Sequence, residues 1–234
     1  MKQRKRNRTG ILITISLLAL TSVGFVATGI DEGTYQVLDT TMVTPDMVSL
    51  SDSSDADLTF DTDPMAKVVA DAITLDVPLI RQLPELPTGC EVVSATMLLQ
   101  YYEIAVDKIQ TAEALPLSSN PALGFVGSPF LSSGYTIDPE PLALALSPWM
   151  DELVGVQGMT MEELKEALSS GNPVVVWLEG FHGFNIHAVT VTGYDEDSIR
   201  INDPWTGEKN ATLETDDFIS MWDALGNKAL YANF

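Results

Sequence analysis

The chain has a single cysteine, Cys90, in the run PTGCEVVSATMLLQYY. A thiol attacks an acyl carbon only as its thiolate. A Gly-Cys step that opens an amphipathic helix offers that anion unpaired backbone N–H groups and the positive end of the helix dipole. Further along, IHAVTVTGYDEDSIRINDPW supplies His187 and, sixteen residues later, Asp203. An imidazole that takes the thiol proton and returns it to a leaving amine, oriented by a carboxylate, completes a Cys/His/Asp acyl-transfer triad. Each residue also has a plainer use. A lone cysteine packs cores, a histidine can sit satisfied on a strand, and Asp-Pro is a common turn step.

The two histidines are not equivalent. His182 lies in GFHGF, where neighbouring glycines make a precise orientation hard to hold, whereas His187 begins an alternating strand, a rigid mount for a general base. His187 is therefore the expected base. The developing oxyanion needs donors, and the Cys90 backbone N–H can be one. Gln82, eight residues upstream, can add a side-chain amide, although a lone glutamine is usually a surface residue. Glu91 falls in the first turn of the Cys90 helix, which suits the helix but disfavours a thiolate, so a structural or polar-network role is expected. Trp205 is either a cleft wall or a core aromatic. Two histidines and one cysteine show no metal-ligand spacing, and no metal or organic cofactor is expected.

The elements that must position these groups follow from periodicity and punctuation. TLDVPLI reads as a short strand, and a Pro-rich turn then leads into the Cys90 helix, with Val92, Ala95, Met97, Leu98 and Tyr101 as its apolar face. VDKIQTAEAL and DPEPLALAL read as helices. Residues 116–138, rich in Gly, Ser and Pro, form a long loop of the kind that lines clefts. Thr160 and Glu163 make a capping box for MEELKEALSS, which stops at Gly171. PVVVWLE, HAVTVTGYD and SIRIND read as consecutive antiparallel strands, followed by a helix over DDFISMWDAL and a strand at ALYANF. Helices first and a sheet afterwards predict an α+β domain over residues 72–234.

The N-terminus points to export. MKQRKRNRTG carries five basic residues and no acid, and an uncharged apolar run follows, so residues 1–30 read as a signal peptide or a membrane anchor. Ala27 with Gly29, or Ser22 with Gly24, would permit cleavage, and the run is nearly long enough to span a bilayer, so both readings stay open. No cysteine follows the run, which excludes a lipoprotein anchor. The positive-inside rule keeps the basic end in the cytoplasm. Residues 31–71 read as an acidic flexible spacer. Asp55 and Asp57 hint at a calcium loop, but Phe60 stands where that loop needs glycine. Beyond the basic flank, seven basic residues face 33 acidic ones, which argues against nucleic acid and against charge-driven binding to anionic lipid. Membrane association is expected only through residues 10–30. An exported chain with one cysteine has no internal disulfide partner for it, so the thiol is either packing or kept free for use.

The runs LDVPLIRQLPELPTGCEVVSATMLLQYY, GFVGSP, GNPVVVW and HAVTVTGYDEDSIRINDPWTG, spanning about residues 74–207, together resemble the peptidase-like domains related to the bacteriocin-leader (double-glycine) cysteine peptidases of the papain superfamily. The resemblance implies a papain-like fold, with a helical lobe carrying the Cys helix packed on an antiparallel sheet carrying the histidine. It implies Cys90 as nucleophile, His187 as base, Asp203 as orienting residue and Gln82 in the oxyanion hole. The eight-residue Gln-to-Cys spacing is longer than transporter-linked members usually show, and no ATP-binding cassette follows, so leader export is not expected. The prediction is an exported thiol peptidase or amide hydrolase acting on peptide or cell-wall peptide. The alternatives are a cell-surface binding module that keeps the fold without turnover, and a cell-wall amidase or acyltransferase using the same triad. The sequence sets no oligomeric state.

Overall fold

The computed structural model describes residues 70–234. The expected signal or anchor, the Asp55/Asp57 run and nearly all of the acidic spacer lie outside the described residues. In chain order the first elements are β1 (Ile73–Thr74), α1 (Cys90–Tyr101), α2 (Lys108–Glu113), β2 (Leu117–Ser118), β3 (Phe125–Val126), α3 (Pro139–Leu146) and β4 (Leu153–Val156). Then come α4 (Met161–Ser169), β5 (Val174–Leu178), a 3-10 turn at Phe181–Gly183, β6 (His187–Tyr194), β7 (Ser198–Asp203), β8 (Glu208–Glu214), α5 (Thr215–Asp223) and β9 (Ala229–Ala232). The main sheet runs β4-β9-β5-β6-β7-β8, each neighbour antiparallel, with β1 added to one end of β6.

Caps place the helices as the sequence suggests. Thr160 and Glu163 close a capping box on α4, and the chain leaves that helix through Gly171 at φ +86. Asp107 and Gln110 form a second box on α2, which shortens the expected helix to its capped core. The three central strands β5, β6 and β7 match their expected runs closely.

Helix α1 departs from expectation. It is not amphipathic but buried on all sides from Cys90 to Leu99, because it packs on β5 and β6 and is covered by α2 and the 116–138 loop. Its polar residues are therefore all partnered inside the core. Ser94 Oγ donates to the Ala188 carbonyl at 3.2 Å and Thr190 Oγ1 donates to the Ser94 carbonyl at 3.1 Å, locking α1 to the strand that carries His187. Thr96 shares a 2.7 Å bond with Thr111 of α2. On β5, Trp177 Nε1 donates to the Ile137 carbonyl at 3.1 Å and so pins the end of the 116–138 loop to the sheet.

The expected strand over TLDVPLI shrinks to Ile73–Thr74, followed by one further bond from Leu75 N–H to the Thr192 carbonyl, since Pro78 has no N–H to continue a ladder. Strands β4 and β8, and the two-residue strands β2 and β3 inside the expected 116–138 loop, have no counterpart among the sequence-based elements. β8 (EKNATLE) is a polar edge strand without apolar alternation, and β4 is four residues long.

The β1 contact is close. It lies beside the register shift between Val191 and Gly193 of β6, and a Cβ on Gly193 would stand 2.1 Å from the Ile73 carbonyl oxygen. The chain beyond β1 runs on to Gln82, so this contact sets where that segment starts. Gly193→Ala should force β1 off β6 and destabilise the domain by about 1–3 kcal/mol, the usual range for overpacking. A urea-denaturation midpoint equal to wild type would show that β1 contributes nothing.

Candidate active site

Cys90 is the first residue of α1, with Gly89 as an N-cap that offers no side chain. His187 is the first residue of β6, paired with Leu178 of β5. Both are at least nine-tenths buried, and both line one cavity of about 190 Å³ together with Gln82, Thr88, Tyr135 and Phe184. The Ala188 N–H, next along β6 from the histidine, is directed at the Cys90 sulfur. A larger cavity of about 500 Å³ lies between β4, α4 and β9 and contains none of these groups.

Asp203 ends β7 and is 1 % exposed. His187 Nε2 lies 2.8 Å from its Oδ1, so the imidazole carries its proton on Nε2 and leaves Nδ1 as the basic nitrogen. Asp203 makes turn contacts as well as the contact with His187. The Trp205 N–H donates to Oδ1 at 2.9 Å, Thr206 Oγ1 donates to Oδ2 at 2.9 Å, and the Gly207 N–H closes on the Asp203 carbonyl. Burial works against the carboxylate, but the hydrogen bond and charge of His187, with the Trp205 and Thr206 donors, outweigh it and hold Asp203 well below the usual carboxylate range.

Gln82 is buried rather than superficial, at 2 % exposure. Its backbone N–H donates to the Pro204 carbonyl at 2.9 Å, tying it to the turn after Asp203. Its Nε2 donates to the Pro87 carbonyl at 3.2 Å, which fixes the amide's orientation, because the flipped amide would set two acceptors face to face. One amide N–H remains for the cavity, while Oε1 is buried without a hydrogen-bond partner among the described residues. Trp205 is half-buried and meets Phe184 edge-on at 5.0 Å, and Phe184 in turn stacks on His187 at 5.4 Å. The tryptophan thus walls the imidazole at one remove.

Comparison with known proteins gives this site its setting. The model of the peptidase C39-like family matches residues 74–230, more than half of the chain. The chain belongs to the peptidase C39-like family. YvpB of Bacillus subtilis strain 168, itself uncharacterised, is 28% identical over 225 residues, covering 76% of this chain and 89% of that protein. A crystal structure of a candidate C39-like peptidase from Bacillus anthracis superposes with a TM-score of 0.67 at 29% identity, over 70% of this chain and 98% of that one. A double-glycine-motif protease domain from an AMS/PCAT transporter, solved with its leader peptide, gives a TM-score of 0.46 at 18% identity, over 69% and 94% of the respective chains. The fold is α+β, a helical lobe bearing the cysteine on an antiparallel sheet bearing the histidine, and is shared with the C39-like structure from Bacillus anthracis.

Two features of the site run against the sequence-based expectation. First, this C39-like domain does not hold Cys90 as a low-pKa thiol. Burial and then the neighbouring Glu91 charge push the thiol well above its ordinary value, against the Ala188 N–H that works the other way. Glu91 is completely buried, accepts from Thr136 Oγ1 at 2.6 Å and from Cys90 Sγ at 3.3 Å, and is driven by burial up to about 7. The expected polar-network role for Glu91 is what the structure has, and the network costs the thiolate. Second, His182 is not loosely mounted. Its Nε2 lies 2.8 Å from Asp203 Oδ2, so both histidines meet one carboxylate. Among the described residues, no group of three or more His, Cys, Asp or Glu is placed to hold a metal ion.

The Glu91 position sets a pH dependence. Unfolded, the carboxyl titrates near 4.5, and folded near 7, so the unfolded chain releases its proton first and stability falls as pH rises through that window. Glu91→Gln keeps an acceptor for Thr136 and removes the titration. Its stability relative to wild type should grow between pH 4.5 and pH 7.5, by up to about 3 kcal/mol. The same variant removes a negative charge from the thiol, so iodoacetamide should alkylate Cys90 faster in it than in wild type at pH 8. Parallel stability curves for the two proteins across that range would exclude the buried, protonated Glu91.

Proposed function

We propose that the chain is an exported thiol peptidase or amide hydrolase that works through an acyl-enzyme on Cys90. The observation that carries the reading is the convergence of Gln82, Cys90 and His187 on one cavity, with Asp203 hydrogen-bonded to the far nitrogen of the same imidazole. Export rests on the basic flank and apolar run at the N-terminus. Among the described residues no helix is long and apolar enough to cross a membrane.

Because the resting thiol is buried beside a carboxyl group, the proton leaves sulfur as the attack proceeds. Nδ1 of His187 takes it, sulfur bonds to the acyl carbon, and the carbonyl pair moves onto oxygen. The free Gln82 amide N–H and the Cys90 backbone N–H meet that oxyanion, since the first N–H groups of a helix lack intrahelical acceptors. Collapse breaks the C–N bond, and the imidazolium gives its proton to the departing amine. Water, deprotonated by Nδ1, then cleaves the thioester and the sulfur regains its proton. Asp203 stays ionised throughout and supports the imidazolium. A cell-wall amidase or an acyltransferase would use the same steps, with an amine in place of water for transfer. The half-exposed Tyr135 lines the cavity, and the exposed Leu131 accepts a hydrogen bond from cavity-lining Thr88, which suits a peptide with apolar side chains.

A second reading has its own observation. The upward displacement of the Cys90 thiol suits a binding module that keeps the fold without turnover. Cleavage of a peptide library by the exported chain separates the two. Cys90→Ala should abolish hydrolysis and His187→Ala should lower it by roughly 10³-fold or more, leaving only binding and oxyanion stabilisation. Hydrolysis that persists in Cys90→Ala would defeat the peptidase reading. A wild-type chain that cleaves nothing, with Cys90 alkylated no faster than a model thiol, would establish the binding module.

A further inference from the structure

The turn between β5 and β6 does more than connect two strands. It reverses through Gly180 at φ +77, His182 at φ +54 and Gly183 at φ +81, and its own backbone bonds close it: Gly180 N–H to the Phe184 carbonyl at 2.8 Å, Gly183 N–H to Gly180 at 2.9 Å and Phe184 N–H to Phe181 at 3.0 Å. A non-glycine residue in the left-handed region is uncommon and is retained where something holds it there. Here the His182 side chain is held at both ends. The Phe181 ring lies 4.0 Å from its ring, centroid to centroid, and its Nε2 donates to Asp203 Oδ2 at 2.8 Å.

Asp203 thereby accepts four hydrogen bonds, two per oxygen: His187 and Trp205 on Oδ1, His182 and Thr206 on Oδ2. Without His182, Oδ2 would keep only a rotatable hydroxyl, and the carboxylate could turn about its Cβ–Cγ bond and release His187.

We propose that His182 is a positioning residue of the acyl-transfer site, whose Nε2–H locks the Asp203 carboxylate so that Oδ1 stays on His187. The proposal rests on the triad reading above, and its test is built to tell their failures apart. His182→Asn tolerates the left-handed backbone, but its shorter amide places nitrogen where Nδ1 now lies and cannot reach Oδ2. His182→Gln returns an N–H to the Nε2 position. With the full-length chain, cleavage of a fluorogenic peptide pool and the alkylation rate of Cys90 by iodoacetamide are followed together, beside circular dichroism to verify folding.

His182→Asn should lower kcat and the alkylation rate on the order of tenfold with KM nearly unchanged, the size of one lost hydrogen bond to a charged group. His182→Gln should recover most of the loss. In an Asp203→Ala background His182→Asn should have no further effect, because the histidine acts through that carboxylate. An unchanged kcat and alkylation rate in His182→Asn, while Asp203→Ala and His187→Ala are impaired, overturns the proposal and spares the triad. So does an equal further loss in the Asp203→Ala background, or a loss confined to KM. If His187→Ala and Asp203→Ala alter neither readout, the triad reading fails and the proposal falls with it.

Discussion

A carboxylate with almost no contact with solvent must be met by donors on every side, and Asp203 imposes that demand on everything near it. Its four hydrogen bonds come from the start of β6, from the turn before β6 and from two successive residues after β7. The turn after β7 offers the Pro204 carbonyl to the backbone of Gln82, so the segment that brings the glutamine amide to the cavity is anchored beside the carboxylate that holds His187. One buried negative charge therefore fixes His187 directly, and the turn that carries it fixes Gln82. Removing it would leave its donors unsatisfied as well as the imidazole unsupported.

On the other side of the imidazole the electrostatics are reversed. Cys90 and Glu91 share an apolar pocket with a 3.3 Å bond between them, and burial disfavours a charge on either. His187 thus has an acid pinned in its anionic form on its Nε2, while Cys90, which lines the same cavity, is held in its neutral form. On the proposed mechanism the proton moves between sulfur and the imidazole, since Asp203, held well below the usual carboxylate range, is too weak a base to accept it. The Thr136 hydroxyl on Glu91, and the Trp177 indole on the next carbonyl, tie that pair to the loop that lines the cavity.

Much of this was legible in the residue order. Strands β5, β6 and β7 are written as apolar and alternating runs, the α4 capping box is explicit, and the Gly-Cys step marks the start of α1. Glu91 is readable as a network residue because an acid beside a candidate nucleophile needs another reason to be there. Burial was the blind spot. Glu91, Ser94 and Thr96 dilute the apolar pattern of α1 and make a helix enclosed on every side look amphipathic, since periodicity cannot show that each polar group finds a partner inside. The effect of burial on the thiol was hidden for the same reason: a helix start favours an anion, but its local dipole competes with desolvation that only the packed domain supplies. Strand β8 has no apolar alternation because it is an edge with little to bury.

His182 shows why a glycine-flanked residue need not be a mobile one. Glycine widens the choice of backbone conformations in the unfolded chain, but in the folded chain it permits a turn too tight for other residues. Gly180 and Gly183 take left-handed geometry on either side of His182, and three backbone hydrogen bonds then close the turn upon itself. The outcome is a mount about as determinate as a strand end, and it carries Phe181 and Phe184 against the two imidazoles as well as His182 against the carboxylate. The glycines that suggested looseness are the reason the second histidine can reach Asp203.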